Sequence, residues 1–159
     1  MIVVADTSPL NYLIQIDCDV LLPEIYGHIV VPSGVMQELS HAGAPAAVRV
    51  WLTPAWIDVR MTVSAPDTYL TFLGLGERQA IQLAQEQHAD LLLMDERKGR
   101  LDAKRRGLLT TGTLGVLLTA GELGLIDAGL AYRQLLAETT FRTSAALEAQ
   151  FLGQVHPSL

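Results

Sequence analysis

Residues 76–95 read GERQAIQLAQEQHADLLLMD, a helical pattern followed by an apolar run that ends in an aspartate. Apolar residues recur three, four and seven positions after Glu77, so they lie on one face of a helix over 76–87. The Glu77 carboxylate therefore projects beside the buried stripe. The run LLLM at 91–94 predicts a buried strand that ends immediately before Asp95. A helix followed by a buried strand is the repeating unit of an α/β domain with a parallel sheet.

The start of the chain repeats the arrangement of a buried strand followed by an acid. Residues 2–5 read IVVA and predict the first strand, and Asp6 follows directly. Ser8 and Pro9 then open a helix that runs through Ile16, because serine caps helices and proline is tolerated in their first turn. In doubly wound sheets, ligands bind outside the carboxyl ends of the strands, where the strand order reverses. Neighbouring strands there, about 4.8 Å apart, bring the acids that follow them together.

The rest of the chain alternates short β-branched runs with helical periodicity. It contains no internal repeat and no long linker, which favours a single α/β domain over residues 1–159. Further strands are predicted at 29–31, 57–59 and 108–109. Further helices are predicted to begin at 32–33 and 113 and to cover 45–52, 66–73, 96–106, 126–138 and 144–153.

Composition limits the class of protein. With 159 residues, 50% of them apolar, and a mean hydropathy of +0.30, the chain can bury a continuous core. No apolar run approaches the roughly 20 residues of a membrane-spanning helix, and the N-terminal MIVVADTSP is not a secretory signal. We therefore expect a soluble, cytoplasmic protein that does not bind membranes. The single cysteine, Cys18, cannot form an internal disulfide and is predicted to be structural.

The chain is acidic overall but locally basic. Its formal net charge is -6, which is unusual for a protein that binds phosphate groups. Six of the eleven Lys and Arg residues nevertheless lie close together, namely Arg97, Lys98, Arg100, Lys104, Arg105 and Arg106. This basic flank fits a polyanionic substrate, but it fits an ordinary solvated helix face equally well.

Four acids are candidates for one site: Asp6, Glu38, Glu77 and Asp95. Two follow strands, and the other two lie on helices that can pack over the same edge of the sheet. Carboxylates held close together raise one another's pKa unless a divalent cation lies among them. All-oxygen ligands suit Mg²⁺ or Mn²⁺, and the four histidines have no spacing typical of a zinc site. The pattern predicts a metal centre able to activate water and to stabilise the leaving oxygen of a phosphodiester.

Each of these acids also has a structural interpretation. Asp6 and Asp95 can cap the helices that follow them, Glu77 can stabilise the first turn of its helix, and Glu38 can be a surface residue. Four separate coincidences would then be needed to place an acid beside four apolar segments, so we favour one shared site.

Five blocks of the sequence occur in an order typical of a known family. They are VVADTSPL (3–10), VPSGVMQEL (31–39), LGLGERQAI (73–81), LLLMDERKGR (91–100) and LLTTGTLGVLLTAGELGLI (108–126). Together they resemble the PIN-domain superfamily, and in particular its branch of VapC-like predicted nucleases. With FRTSAAL at 141–147, the resemblance covers about residues 2–147. It implies a three-layer α/β domain with a five-stranded parallel sheet, in the order 3-2-1-4-5, flanked by helices.

The resemblance also implies a function, a metal-dependent endoribonuclease that hydrolyses RNA phosphodiesters. Its catalytic and metal-binding residues would be the four acids, which would hold Mg²⁺ or Mn²⁺. Glu77 stands where the commonest pattern has Asp, which leaves its direct contact with the metal open. Supporting roles around the metal or phosphate would fall to Thr7 or Ser8 and to Thr111 or Thr113. Glu96 is a further candidate because it adjoins Asp95, but it matches no clear family position. The basic residues Arg97, Lys98 and Arg100 would bind the substrate or pair with the acids.

The resemblance further implies partners. A homodimer is expected, and if the protein is the toxin of a toxin-antitoxin pair, an antitoxin protein would bind it. Two other functions stay open. One is a non-catalytic assembly module that keeps the metal site. The other is a phosphoaspartyl phosphatase or receiver protein with Asp6 as nucleophile, although the second aspartate expected two positions on is replaced by Ser8.

Overall fold

The computed structural model describes residues 1–155, so His156 and the residues after it lie outside the described part. The strands are β1 (Val3–Ala5), β2 (Ile29–Pro32), β3 (Ile57–Arg60), β4 (Leu91–Leu93) and β5 (Thr110–Thr111). The helices are α1 (Thr7–Gln15), α2 (Leu21–Tyr26), α3 (Ser33–Leu39), α4 (Ala46–Arg49), α5 (Leu75–Glu86), α6 (Arg97–Arg105), α7 (Thr113–Glu122), α8 (Ala128–Glu138) and α9 (Ala145–Gln154). Among these helices, none is long and apolar enough to cross a membrane.

The five strands form one parallel sheet in the order β3-β2-β1-β4-β5, as the resemblance implied. The chain moves outward from β1 to β2 and β3, and then returns to place β4 on the other side of β1. The strand order therefore reverses between β1 and β4. In this register Ala5 lies opposite Leu93, so the ends of the two central strands coincide.

Helices cover both faces of the sheet and give three layers. Val3 and Ala5 point into a core shared with α1, α2, α7 and α8, whereas Val4 points into a second core shared with α5 and α6. This alternation along one strand is the period of two that places successive side chains on opposite faces. Because β1 is fully buried on both faces, the residue that follows it is fixed in position.

The last strand begins later than predicted. It was expected at Leu108 and Leu109, but pairing with β4 covers Thr110–Thr111. The chain leaves α6 through Gly107, which has a φ of 79°, and the Leu108 amide still donates to the Ala103 carbonyl at 3.0 Å. Gly107 and Leu108 therefore complete the end of α6 before the strand can start.

Two predicted helices are shorter than expected. The segment 45–52 is helical only over α4, because the Trp51 indole donates to Asp19 at 3.0 Å and its ring packs against Trp56. The segment 66–73 contains only a 3-10 turn at Thr68–Leu70.

Helix α2 was not predicted. Its six residues read LLPEIY, with a proline at the third position. Pro23 lies in the first turn, where its missing amide proton has no helical partner to lose.

Candidate active site

Asp6 and Asp95 leave the sheet at the same edge, beyond the ends of β1 and β4. The Asp6 amide donates to the Leu93 carbonyl at 2.9 Å, so the ladder continues one residue past β1. The Met94 amide likewise donates to the Thr111 carbonyl at 2.9 Å, and Asp95 follows. The strand-end rule therefore placed these two acids correctly at one edge.

Asp6 is the most deeply buried acid of this edge, with 1% of its surface exposed. Its Oδ1 atom is buried and has no hydrogen-bond partner among the described residues. Burial raises the pKa of Asp6 to about 8; the Thr7 amide opposes this rise, and three acids add to it, namely Glu77, Glu38 and Asp95. Although Asp6 precedes α1, its side chain does not cap that helix. A carboxylate in this setting is costly unless a proton or a cation accompanies it.

Glu38 is held between two helices. Its Oε1 accepts a hydrogen bond from the Gly76 amide at 2.9 Å, and its Oε2 accepts one from the Thr7 hydroxyl. A Cβ atom at position 76 would lie 2.7 Å from Oε2, so the Glu38 carboxylate can occupy this position only beside a glycine. Glu38 is therefore a positioned, half-buried group rather than a surface residue.

Asp95 is fixed by the start of α7 instead of capping the helix that follows it. The Thr113 amide donates to Oδ1 at 2.7 Å, and the Thr113 hydroxyl donates to Oδ2 at 2.7 Å. Burial raises the pKa of Asp95, while both Thr113 hydrogen bonds and the charge of Arg100 oppose the rise. The cap of α6 is Glu96, whose side chain accepts from the Lys98 amide at 3.1 Å.

Glu77 lies in the first turn of α5 and has a structural contact as well. Its Oε2 accepts a hydrogen bond from the Gly74 amide at 3.3 Å, which closes the start of the helix. Burial raises the pKa of Glu77; the Gly74 amide counteracts this effect, and the charges of Glu96 and Glu38 reinforce it. Glu77 therefore lies close enough to Glu38 for the charge of Glu38 to raise its pKa.

The four acids share one electrostatic environment but do not form a ready-made metal cage. Within residues 1–155, no three His, Cys, Asp or Glu side chains are arranged so that they could hold a metal ion. Three of the carboxylates accept hydrogen bonds from neighbouring groups, whereas Asp6 keeps a buried oxygen free of any described partner. The donors are all oxygen atoms, and the unsatisfied one is anionic above its raised pKa. The chemistry of these donors therefore fits a hard divalent cation, although the spacing of the side chains does not yet form its binding site.

A comparison with protein families finds a match over almost the whole chain. A family model described as a PIN domain matches residues 2–157. The chain belongs to the PIN-domain family. PIN domains are generally nucleases and typically use divalent metals, so a nucleic-acid substrate and hydrolase chemistry follow from membership. No curated protein and no solved structure matches the chain.

The hydroxyl residues predicted around the acids of this PIN domain take different positions. Thr7 contacts Glu38 and Thr113 contacts Asp95, as described above. Ser8 lies beside Thr7 in the first turn of α1. Thr111 lies on the edge strand, with its Oγ1 so close to Gly115 that a Cβ there would be 1.9 Å away. The two threonines that lie at helix starts therefore hold site carboxylates.

The predicted basic residues separate into two groups. Arg97 and Arg100 line a cavity together with Asp95, and Lys104 lies on the same wall. Arg106 instead forms ion pairs with Asp67 at 2.7 Å and Asp102 at 2.6 Å. Of the predicted substrate-binding residues, Lys98 is not among those that line the cavity.

Sequence reasoning missed two contributors to this part of the PIN domain. The Gly34 amide donates to Gln79 Oε1 at 2.8 Å, which ties α3 to α5 next to Glu38. Arg142 lines the cavity beside Asp95 although it lies far along the chain. The FRTSAAL block contained Arg142, and its basic residue was the available signal; the Gln79 contact had none, because it depends on how the two helices pack.

Proposed function

We propose that this PIN domain is a metal-dependent endoribonuclease that hydrolyses RNA phosphodiesters with Mg²⁺ or Mn²⁺. The observation that carries the proposal is Asp6, whose buried oxygen lacks a partner and whose pKa is raised to about 8 among three other acids. A shared cation removes both costs, because it pairs with the free oxygen and offsets the repulsion. A metal site also explains why an acid is buried where the strand order reverses.

Each of the four acids has a role in this proposal. Asp6, Glu38 and Asp95 would hold the cation, and Glu77 would bind a second cation or orient the attacking water. The bound metal supplies a water of lowered pKa and neutralises charge that develops on the phosphate. Thr113 keeps Asp95 at the start of α7 through two hydrogen bonds.

Fixed ligand orientation matters because misplaced groups lose catalytic power steeply. For Glu38 the fixing groups are the Thr7 hydroxyl and the Gly76 amide, which come from two different helices. The position of Glu38 therefore depends on how α1 and α5 pack against α3.

Partners belong to the proposal as well. We propose a homodimer, since Val63 and Tyr69 expose 89% and 83% of their surface and give the segment between β3 and α5 an apolar character. A light-scattering mass twice the 17.2 kDa of the chain would support it. If the ribonuclease is the toxin of a toxin-antitoxin pair, an antitoxin protein would be a second partner.

A second candidate function is a non-catalytic metal-binding assembly module. The observation that favours it is the engagement of Glu38, Glu77 and Asp95 in hydrogen bonds that need no metal. In that case divalent cations would raise the melting temperature, while RNA would stay intact.

The test is cleavage of end-labelled RNA by purified protein, with and without Mn²⁺ or Mg²⁺. We expect metal-dependent cleavage by the wild type and its loss, by a factor of about 10³ or more, in Asp6→Asn. Asp17→Asn is the matched control, because Asp17 is exposed and its φ of 55° suits asparagine. Single-stranded DNA of the same sequence measures the preference for RNA.

Two results would contradict the proposal. One is Mn²⁺-dependent cleavage by Asp6→Asn at the wild-type rate. The other is intact RNA with the wild type in both metals, together with a metal-induced rise in melting temperature, which would support the assembly module.

A further inference from the structure

A second cavity, of about 570 Å³, opens beside Thr7 and Glu38, and Asp95 does not line it. Helices α1 and α3 and the segment that follows α3 form its walls, and the first residue of α5 completes them. We call it the amide pocket and define it by six of the residues that line it, namely Asn11, Gln37, Glu38, His41, Pro45 and Leu75.

The amide pocket offers no positive charge to a ligand. Among the described residues that line it, none is Lys or Arg, and Glu38 is the only acid. Both oxygens of Glu38 already accept hydrogen bonds, from the Gly76 amide and the Thr7 hydroxyl. A phosphate group would find no cation here and would lie beside a carboxylate. The pocket therefore suits a neutral ligand.

Three uncharged polar side chains line the amide pocket. The carboxamides of Asn11 and Gln37 each provide donors and an acceptor, and neither has a hydrogen-bond partner among the described residues. The Nδ1 atom of His41 accepts a hydrogen bond from the Gly43 amide at 3.0 Å. The neutral imidazole then carries its proton on Nε2, which is left as a donor. The pocket thus presents unused donors and acceptors together.

The remaining lining of the amide pocket is largely apolar. Ala44, Pro45 and Leu75 contribute to it, and Leu75 exposes 44% of its surface although it begins a helix. An extruded nucleobase is held in the same two ways, by apolar contact with its faces and by hydrogen bonds to its edge. A nucleobase is therefore a neutral ligand that matches both parts of the lining.

Among the four bases, adenine suits this set of side chains. Asn and Gln pair with adenine through two hydrogen bonds, to N6 and N7, whereas guanine is most often bound by Arg or Lys. The described lining contains two carboxamides and neither of those cations. An unpaired adenine also frees N6 and N1 for the second carboxamide, since no complementary strand occupies that edge.

We infer that the amide pocket binds an unpaired adenine of the RNA and thereby selects where the strand is cut. The inference rests on the proposed function, since it names the base that the same site accepts. Asn11 lies four residues after Thr7 and so on the same face of α1, which places the bound base beside the acids. Asn11 and Gln37 pair with the edges of the base, and His41 Nε2 donates to a ring nitrogen.

The first measurement separates binding from cleavage. Titrations followed by NMR give the affinity for adenosine, guanosine, cytidine and uridine in EDTA, where these neutral nucleosides probe the pocket without a phosphate. The test variant is Asn11→Ala with Gln37→Ala, and both positions are helical, so alanine suits the backbone. The matched control is Gln15→Ala with Gln134→Ala, which removes two carboxamides from helices outside the lining.

We expect the wild type and the control to bind adenosine at least about tenfold more tightly than the other three nucleosides. The pocket variant should bind adenosine at least about tenfold more weakly than the control. The second measurement is the sequencing of fragments from a random RNA pool cut in Mn²⁺. Adenine should be enriched at one position relative to the cut with the wild type and the control, and this enrichment should disappear with the pocket variant.

Equal adenosine affinity of the pocket variant and the control would overturn the inference, as would equal affinity of the wild type for all four nucleosides. An unchanged base preference of the pocket variant would overturn it too, even where cleavage still depends on Asp6. Adenosine binding through these carboxamides by a protein that leaves RNA intact would count against the nuclease and not against the pocket. The two failures are therefore distinguishable.

Discussion

Gly76 shows how a single residue can set the position of a catalytic candidate without any side chain. Its amide donates to Glu38 Oε1 at 2.9 Å, and the absence of a Cβ lets the carboxylate lie against the backbone of α5. Gly74, two residues earlier, has open space where a Cβ would be. The two glycines at one helix start therefore differ in what they can tolerate.

We expect Gly76→Ala to lower metal-dependent cleavage at least about tenfold while the free energy of unfolding changes by less than about 1 kcal/mol. The new methyl group would lie 2.7 Å from Glu38 Oε2, and this flexible side chain can move aside without disturbing the core. Cleavage rates, Mn²⁺ affinity by calorimetry and urea denaturation check this. Gly74→Ala is the control, and equal cleavage by both variants would disprove the role of Gly76.

Among the elements, helix α6 and the residue after it carry basic side chains with different roles, which the sequence alone does not distinguish. The sequence alone indicates one basic flank, either substrate-binding or merely solvated. In the fold, Arg106 follows α6 and pairs with Asp67 and Asp102, and the hydrogen bond from Arg106 is the main cause of a lowered pKa at Asp67. Arg106 thus ties the end of α6 to the turn that precedes α5.

Arg106→Met should lower the melting temperature by about 3 °C or more, because it leaves two partly buried carboxylates without their partner. Arg105→Met removes the same charge from an exposed neighbour and should change it by less than about 1 °C. Thermal unfolding followed by circular dichroism compares the two. If both variants have the same melting temperature as the wild type, the ion pairs contribute nothing to stability.

The elements that could be predicted are those whose pattern depends on burial alone. Strands β1 and β4 could be predicted because continuous apolar runs are typical of buried parallel strands, and α5 because its apolar residues repeat on one face. The helix predicted over 66–73 is reduced to a 3-10 turn, since Tyr69 and Phe72 are apolar yet exposed. Periodicity cannot show whether an apolar residue has anything to pack against.

At the scale of the whole molecule, topology brought distant acids to one edge, and this much could be predicted. Strand ends fixed Asp6 and Asp95, because β1 and β4 are neighbours. What the sequence could not reveal is the set of donors around each carboxylate. The Thr113 contacts depend on where α7 starts relative to β4, and Arg142 reaches the cavity beside Asp95 only through the packing of the last helices.

The buried Asp6 makes the stability of the whole molecule depend on pH and on metal. Its pKa is about 8 in the folded protein and near 3.8 in the unfolded chain. Between these values the folded protein holds a proton that the unfolded chain has released, so stability falls as the pH rises. The pKa values of Asp95 and Glu77 are raised as well and act in the same direction.

In EDTA, we therefore expect the free energy of unfolding to fall between about pH 5 and pH 8, by up to about 1.4 kcal/mol per unit for each proton involved. Asp67 and Glu86 have lowered pKa values, so they contribute stability that disappears only at lower pH. Asp6→Asn should show a flatter profile than the wild type over this window, whereas Asp17→Asn should keep the wild-type slope. Urea denaturation at each pH measures both.

Mn²⁺ should reverse the trend, because a cation that replaces the proton on Asp6 binds more tightly as that proton dissociates. The rise in melting temperature caused by Mn²⁺ should thus be larger at pH 8 than at pH 6 in the wild type, and nearly absent in Asp6→Asn. A Mn²⁺ effect of the same size at both pH values, or one that survives in Asp6→Asn, would mean that the ion binds elsewhere and that this carboxyl is simply a buried, protonated group.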